Sequence, residues 1–254
     1  KTFAKALQFL PGADLVAVGS RAAETAKNFA EVFDVRHQHA GYEQLAKDSE
    51  VDVVYIATPH PLHRENTILC LKAGKAVLCE KPFAINAGRA LQMIDVARAE
   101  KLFVMEAMWT RFLPIIAKVC EWLEQGLIGP VRMLQADFGF SEDWDPQSRL
   151  LNPQVGGGAL LDVGVYTVSL ASMVFGQPPA RITGMAHLGR TGVDEQSAII
   201  LGYDNGQLAV LTCAVQTETA KEAVIYGTKG SIRIGPSFFC ATEATLSVNG
   251  KDEQ

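Results

Sequence analysis

The sequence has no surplus of basic residues and no cysteine framework, and each absence argues against a class of protein. Lys and Arg number 23 against 28 Asp and Glu, so the formal charge is -5 and nucleic acid has no basic stripe to bind. The cysteines lack CxxC spacing, which argues against a disulfide framework and predicts reduced core residues. They are Cys70, Cys79, Cys120, Cys213 and Cys240. We expect no nucleic acid partner.

Long apolar runs and a leader pattern are also missing. No continuous apolar run reaches the roughly 18 residues that a membrane span needs. The first residues lack the basic, apolar and small-residue order of a signal peptide. We therefore expect no membrane partner and a cytoplasmic location. With 48% apolar and 20% charged residues, the composition is that of an ordinary globular protein.

The first part of the chain alternates short β-branched runs with amphipathic segments, which is typical of parallel strands joined by crossover helices. Helices are expected over 3–10, 22–32, 62–73 and 87–99. Strands are expected over 15–19, 53–57, 76–79 and 102–105, with a weaker candidate over 36–38. This pattern predicts an α/β domain of the Rossmann type.

A dinucleotide-binding domain begins with a strand and a Gly-x-Gly-x-x-Gly turn, which the 254 residues lack. A helix stands directly before the strand over 15–19, so we expect an N-terminally truncated domain. Gly156-Gly157-Gly158 is not a substitute, because it follows a long loop, and we interpret it as a flexible entry to a helix. The alternative is a protein that binds no dinucleotide.

A helix over 112–125 leads into a region of longer strands, which predicts an α+β domain with a large antiparallel sheet. The strands are expected over 131–140, 180–187, 196–203, 207–216, 223–226 and 231–234, and one more helix over 159–175. Asp204-Asn205-Gly206 predicts a hairpin turn. We place the dinucleotide-binding domain at 1–110 and a substrate-binding and dimerisation domain at 111–254.

Three successive predicted strands of the first domain end in polar or aromatic segments. They are Thr58-Pro59-His60, Glu80-Lys81-Pro82 and Glu106-Ala107-Met108-Trp109-Thr110-Arg111-Phe112. Ligands of open α/β sheets bind at the carboxyl ends of the strands, which makes Lys81 a candidate catalytic amine. The alternative is a surface lysine that pairs with Glu80 in a tight turn.

Those segments, together with Asp162-Val163-Gly164-Val165-Tyr166, resemble the glucose-fructose oxidoreductase and inositol dehydrogenase superfamily, and within it the dimeric dihydrodiol dehydrogenases. The resemblance spans essentially the whole chain. Members of the family begin with the glycine-rich turn and continue beyond Gln254. The resemblance implies a cis peptide between Lys81 and Pro82 and a second domain truncated at its C-terminus. We also expect a homodimer formed largely through the sheet of the second domain, because the helices cover one face of the sheet over 180–234 and leave the other to be covered.

The resemblance also implies catalytic roles for Lys81, Tyr166 and Asp162. Oxidation of a secondary alcohol requires removal of the hydroxyl proton, and a phenol with a pKa of about 10 is a poor base near neutral pH. An ammonium at Lys81 would lower the pKa of Tyr166, and Asp162 would orient the substrate or the amine. The alternative makes Asp162 a helix cap and Tyr166 a core aromatic residue.

NADP is the expected cofactor, because Gly19-Ser20-Arg21 offers a hydroxyl and a guanidinium where NAD enzymes carry a carboxylate. The expected cofactor-binding residues are Ser20, Arg21, Thr58, His60, Glu80, Lys81 and Pro82. The expected substrate-binding residues are Trp109, Arg111, Phe112, Phe138 and Asp162.

No metal is expected, because neither His37-x-His39 nor His60-x-x-His63 has an acidic or cysteine ligand at a convincing spacing. The predicted activity is NADP-dependent hydride transfer at a vicinal diol or a cyclic sugar hydroxyl, with trans-dihydrodiols and D-xylose as leading small-molecule substrates. The alternative is a catalytically silent dinucleotide-sensing or scaffold protein of the same fold.

Overall fold

The computed structural model describes residues 1–253, which belong to two compact units. One unit covers Lys1–Ala107 and the other Met108–Gln254, so the observed division lies three residues before the predicted boundary. The first unit contains only short strands and the second contains the long ones, as the sequence pattern predicts.

The first unit alternates helices and strands along the chain. Its elements are α1 (Thr2–Leu7), β1 (Ala17–Gly19), α2 (Ala23–Phe33), β2 (His37–His39), α3 (Tyr42–Ala46), β3 (Val53–Ile56), α4 (His63–Lys72), β4 (Ala76–Cys79), α5 (Ala87–Glu100) and β5 (Val104–Glu106). Asn86 caps α5 by accepting a hydrogen bond from the Arg89 amide at 3.0 Å. Helix α3 was not predicted, because five residues give too short a periodic pattern to recognise.

All strand pairs described in this unit are parallel, which confirms the α/β prediction. They form two sheets, β1-β2 and β3-β4-β5, rather than the single sheet that was expected. In a doubly wound sheet, the strand that carries the glycine-rich turn lies between these two groups. No such strand was predicted from the 254 residues. Apolar residues from β3, β4, α4 and α5, including Val54, Val77, Leu71 and Met93, form the core.

The second unit consists of two helices and a large sheet. Its elements are α6 (Pro114–Glu124), β6 (Val131–Gly139), α7 (Val165–Phe175), β7 (Arg181–Leu188), β8 (Asp194–Gly202), β9 (Leu208–Ala214), β10 (Ala223–Gly227), β11 (Gly230–Ile234), β12 (Ala244–Val248) and β13 (Lys251–Glu253). The last two strands were not predicted. A π-helical turn, Leu160–Gly164, precedes α7, so the expected helix over 159–175 begins with a widened turn.

The sheet order is β13-β12-β11-β10-β6-β9-β8-β7, and every pair is antiparallel except β6 with β9. The predicted hairpin joins β8 to β9, with Gly206 at a φ of +80°. One face of the sheet packs against the π-helical turn and α7. Leu134, Leu211 and Ile225 on that face are fully buried.

One helical stretch among the described residues, 153–175, has 23 residues and a mean hydropathy of 1.6, which is long and apolar enough to cross a membrane by length and composition, and half of its most apolar window is buried within the protein. The prediction of five core cysteines is wrong for two of them, because Cys240 is exposed and Cys120 is only half-buried. Cys240 follows Phe238 and Phe239 in a short 3-10 turn, where an apolar sequence does not ensure burial.

The three glycines before the π-helical turn do not form the flexible entry that was predicted. Gly157 and Gly158 donate backbone hydrogen bonds to Asn152 and Leu150. A Cβ on Gly158 would lie 2.3 Å from an oxygen of Asp194, and its φ is +122°. Close approach therefore explains glycine at position 158.

Candidate active site

In the first unit, the loops that follow β3 and β4 are joined by one buried histidine. The ring of His63, at the start of α4, has Nε2 2.8 Å from the Thr58 carbonyl oxygen and Nδ1 2.8 Å from the Pro82 carbonyl oxygen. A neutral imidazole donates to one acceptor, and a protonated one to both. His63 is fully buried, so it fixes the positions of two loops that carry predicted cofactor residues.

The loop after β4 is held at several points. The Lys81–Pro82 peptide is cis, which confirms that prediction. Glu80 accepts a hydrogen bond from the Tyr55 hydroxyl, and the Lys81 amide donates to the other Glu80 oxygen at 3.1 Å. The Phe83 amide donates to Glu106 at 2.8 Å, which ties the loop to the end of β5. Lys81 therefore starts from a fixed backbone at the carboxyl end of a parallel strand.

Cys79 directly precedes this loop but is no nucleophile. Burial raises the pKa of its thiol to about 12, so it remains protonated near neutral pH. Of the polar groups at this strand end, the carboxylate of Glu80 and the amine of Lys81 are the ones suited to chemistry. The predicted residues Thr58 and His60 lie after the neighbouring strand β3, as expected.

Ser20 and Arg21 directly follow β1, and Arg21 is exposed. The Ser20 amide donates to the carbonyl of His39 at 3.1 Å, which joins the ends of β1 and β2. Positions 19–21 carry no carboxylate. The hydroxyl of Ser20 and the guanidinium of Arg21 can donate hydrogen bonds to a phosphate, and no acidic side chain at positions 19–21 would repel it.

In the second unit, Tyr166 lies in the first turn of α7 within an aromatic cluster. Phe138 of β6 stacks on Phe239 with ring centroids 4.0 Å apart and an angle of 9° between planes. The Tyr166 ring lies 5.4 Å from Phe138 and 5.7 Å from Phe239. The indole N–H of Trp109 donates to the Tyr166 hydroxyl oxygen at 3.2 Å. The hydroxyl of a nearly buried tyrosine is thus oriented by a half-exposed tryptophan.

Asp162 lies in the π-helical turn and is 3% exposed. Its Oδ1 accepts a hydrogen bond from the Arg149 guanidinium at 2.6 Å. Asp162 lies in a π-helical turn and Tyr166 in α7, rather than both in one regular α-helix over 159–175 as expected. Arg149 was not predicted as a site residue, although a carboxylate within an apolar segment indicates that a cation lies near it.

The remaining predicted substrate residues, Arg111 and Phe112, lie in a 3-10 turn before α6. Arg111 donates to the hydroxyl and the carbonyl of Ser169 at 3.0 and 3.1 Å, so it links this turn to α7. Phe112 is 67% exposed. Phe239, which the sequence analysis missed, is the ring that stacks on Phe138, and it comes from a turn about 100 residues further along the chain.

The reason given for expecting no metal is wrong. Asp48, at the end of α3, contacts both His37 and His39 of β2, so the fold supplies the acidic ligand that the sequence spacing concealed. Hydrogen bonds from His39, the Glu50 amide and His37 hold the pKa of Asp48 well below its ordinary value. This cluster lies outside the predicted site residues.

The two units thus define a class: a Rossmann-type domain with polar strand ends, followed by a domain with a large sheet and an oriented tyrosine. Residues 1–108 match the oxidoreductase family with an NAD-binding Rossmann fold, and residues 116–233 match the GFO/IDH/MocA C-terminal domain. The chain belongs to the GFO/IDH/MocA family of oxidoreductases, as the sequence motifs predict.

Similar proteins include a trans-1,2-dihydrobenzene-1,2-diol dehydrogenase from Xenopus laevis, 41% identical over 98% of this chain and 76% of the relative. Among solved structures, an aldose-aldose oxidoreductase from Caulobacter crescentus, complexed with glycerol, is 25% identical with a TM-score of 0.88, covering 97% of this chain and 76% of that one. KijD10, a 3-ketoreductase from Actinomadura kijaniata in complex with NADP and TDP-benzene, is 29% identical with a TM-score of 0.86, covering 99% and 78%.

Proposed function

We propose that the protein is an NADP-dependent dehydrogenase that oxidises a hydroxyl of a vicinal diol or a cyclic sugar. The observation that carries the proposal is the Tyr166 hydroxyl, which is oriented by Trp109 at 3.2 Å inside an aromatic cluster. Trans-dihydrodiols and D-xylose are the leading substrates. The name of the Xenopus relative supports the first, and the aldose oxidoreductase supports a sugar.

Proton transfer is assigned to Tyr166. Its Oη removes the hydroxyl proton during oxidation and returns it during reduction, while the bound nicotinamide supplies the hydride chemistry. The Trp109 N–H donates to the same oxygen and so stabilises a phenolate. Phe239, which is partly exposed and stacks on the buried Phe138, presents apolar surface beside Tyr166, which suits the ring of a dihydrodiol.

Lys81 and Asp162 are assigned supporting roles. Lys81 supplies the positive charge that favours the phenolate of Tyr166, a role that the family resemblance implies for it. Asp162 accepts a hydrogen bond from Arg149 and is assigned the orientation of the substrate hydroxyls, a role that the family resemblance implies for it.

NADP rather than NAD is proposed on the basis of Ser20 and Arg21. Arg21 can bind a 2′-phosphate, and no carboxylate is present at positions 19–21 to bind a ribose 2′-hydroxyl. Arg21→Ala in the full-length protein should raise the KM for NADP by about 10- to 100-fold, the effect of losing one charge-assisted hydrogen bond. The KM for NAD should change little. Equal effects on both cofactors would remove Arg21 from the site, and Arg98→Ala, at an exposed arginine of the same unit, is the control.

A second copy of the chain is the proposed partner, and a cytoplasmic location remains our proposal. The strand register places Met185, Ile200 and Leu208 on the sheet face opposite the buried Leu201 and Leu211. These three side chains are 84%, 42% and 43% exposed. An apolar face of this kind suits a homodimer.

The activity is tested by following NADP reduction with a panel of trans-dihydrodiols, D-xylose, other aldoses and inositol, using the full-length protein and its Tyr166→Phe variant. We expect turnover of a diol or a cyclic sugar, reduced about 100-fold or more in the variant. NADP binding without turnover of any panel member would favour the catalytically silent alternative.

A further inference from the structure

A cluster of metal-ligating side chains lies on the first unit, apart from the residues assigned to catalysis. His37 and His39 are two residues apart on β2, so both side chains project from the same face of the strand. Asp48 lies opposite them, with its Oδ2 2.6 Å from His37 Nδ1 and 2.9 Å from His39 Nε2. The three ligand atoms all lie within 4.8 Å of one another.

We propose that His37 Nδ1, His39 Nε2 and Asp48 Oδ2 bind a divalent transition-metal ion, of which zinc is the best probe. Zinc binds nitrogen and carboxylate oxygen at about 2.0 to 2.2 Å in tetrahedral geometry, so neighbouring ligand atoms lie about 3.4 Å apart. The two separations from Asp48 Oδ2, 2.6 and 2.9 Å, need to widen by less than about 1 Å. Two imidazoles favour zinc, nickel or copper over magnesium and calcium.

The surroundings hold the ligands in place. The Glu50 amide donates to Asp48 Oδ1 at 3.0 Å, which turns Oδ2 toward the histidines. The Lys75 ammonium donates to the backbone carbonyls of Asp48 and Val51 at 2.8 and 2.6 Å and fixes the loop between them. The Asp48 side chain is 6% exposed, whereas the rings of His37 and His39 are 31% and 22% exposed. Because burial destabilises a charged carboxylate, a cation shared with the two imidazoles would stabilise Asp48.

A metal-binding histidine usually donates the N–H of its second ring nitrogen to a carboxylate or a carbonyl, and Glu50 lies near that nitrogen of His37. Its Oε1 lies 3.7 Å from His37 Nε2, the ring nitrogen that would not face the metal. Lys75 and Arg36 are cations of this region that oppose metal binding. Arg36 is paired with Glu50 at 3.3 Å, and the ammonium of Lys75 is hydrogen-bonded to backbone carbonyls rather than to a ligand atom. A water molecule would complete the coordination.

Calorimetric titration of the metal-stripped full-length protein with Zn²⁺ tests the site. We expect one zinc per chain with micromolar or tighter affinity. His39→Asn and Asp48→Asn should weaken binding by more than about 100-fold, and Glu50→Gln by about 10-fold, as for an outer partner. His187→Asn is the matched control, because His187 is 63% exposed and has one carboxylate, that of Glu195, 4.0 Å away. This control should leave the affinity unchanged.

X-ray absorption of the zinc-loaded wild-type protein adds a readout that needs no variant, in case a substitution impairs folding. Two imidazole ligands and oxygen donors should account for the spectrum. Sulfur ligands would instead identify a cysteine, and that result would overturn the proposal. The same conclusion follows if the wild type binds no zinc, or if folded His39→Asn protein binds it with unchanged affinity.

Discussion

The side chain of Tyr166 is connected to its own unit by Trp109, Phe138 and Phe239, whereas Lys81 is fixed by the loop after β4. The proposal makes the two residues one catalytic pair. Tyr166→Phe and Lys81→Met should then each reduce turnover by about 100-fold or more. Their effects should not add, so the double variant should be little worse than the poorer single one.

Steady-state kinetics of the three variants decide between two roles for Lys81. If Lys81 is itself the proton acceptor, Tyr166→Phe should raise the KM and leave turnover nearly unchanged. Full activity in both single variants would remove both residues from the catalytic assignment.

Arg149 gives a second prediction at the residue scale, this time on stability. Arg149→Met removes the guanidinium that donates to the buried Asp162 carboxylate. Because the Arg149 side chain is 64% exposed, we expect a loss of about 1 to 2 kcal/mol in the free energy of unfolding rather than the larger cost of breaking a fully buried pair.

Urea denaturation measures this loss. Adding Asp162→Asn to Arg149→Met should recover part of the stability, since the buried carboxylate that the guanidinium served is then replaced by a neutral amide. Arg98→Met, at an exposed i,i+3 pair with Asp95, should have almost no effect. A similar loss in both arginine variants would show that the Asp162 contact is not the cause.

The candidate catalytic residues could be predicted from the sequence, but several residues that contact the candidate site or the histidine cluster could not. Lys81 and Tyr166 stand in motifs that are visible in the sequence. Arg149, Phe239 and Asp48 act through contacts that only the folded chain creates: Phe239 stacks on a residue about 100 positions earlier, and Asp48 meets two histidines across a helix and a loop. Nothing in their local sequence distinguishes them from ordinary surface or core residues.

At the scale of elements, the π-helical turn and α7 carry Asp162 and Tyr166 together. Asp194 holds the start of this segment, because its Oδ2 accepts from the Leu160 amide at 2.7 Å and from the Ser197 hydroxyl at 2.9 Å. Gly158→Ala would place a methyl group against Asp194 and force a φ of +122° on a non-glycine residue. We expect a loss of about 1 to 3 kcal/mol in stability, together with reduced turnover.

Gly176→Ala is the matched control for that variant, since it lies at the other end of α7. Its φ is +64° and its Cβ would meet nothing within 4 Å. It should cost about 1 kcal/mol without changing turnover. Equal turnover in the two folded variants would show that Asp194 does not position the segment. Thermal denaturation measures the stability of each variant, and steady-state kinetics on the same samples measure its turnover.

Most long elements could be predicted, because helical and strand periodicities are strong over eight or more residues. The π-helical turn could not, since one extra residue in a turn leaves no periodic signal in so short a stretch. Strand β12 was missed although β10 and β11, which are also five residues long, were predicted, and β13 has only three residues, which is too short for alternation to be distinctive. The separation of the parallel strands into two sheets depends on which strands pair with each other, and the strand propensity of a segment carries no information on its partner.

At the scale of the whole molecule, the exposed face of the large sheet predicts a homodimer. Met185→Lys combined with Ile200→Lys should convert the dimer to a monomer at micromolar concentration, because two charges would be buried in an apolar contact. Light scattering measures the mass. Leu91→Lys, at an exposed leucine of α5, is the control and should remain dimeric. A wild-type monomer would contradict the proposed partner.

In the proposed reaction, hydride passes between a carbinol carbon and NADP. The most direct test uses a trans-dihydrodiol or D-xylose deuterated at the carbon that is oxidised, with mass spectrometry of the nicotinamide product of the full-length protein. We expect NADPH that carries one deuterium from the substrate. NADPH without deuterium, or bound NADP that no diol or sugar reduces, would contradict it.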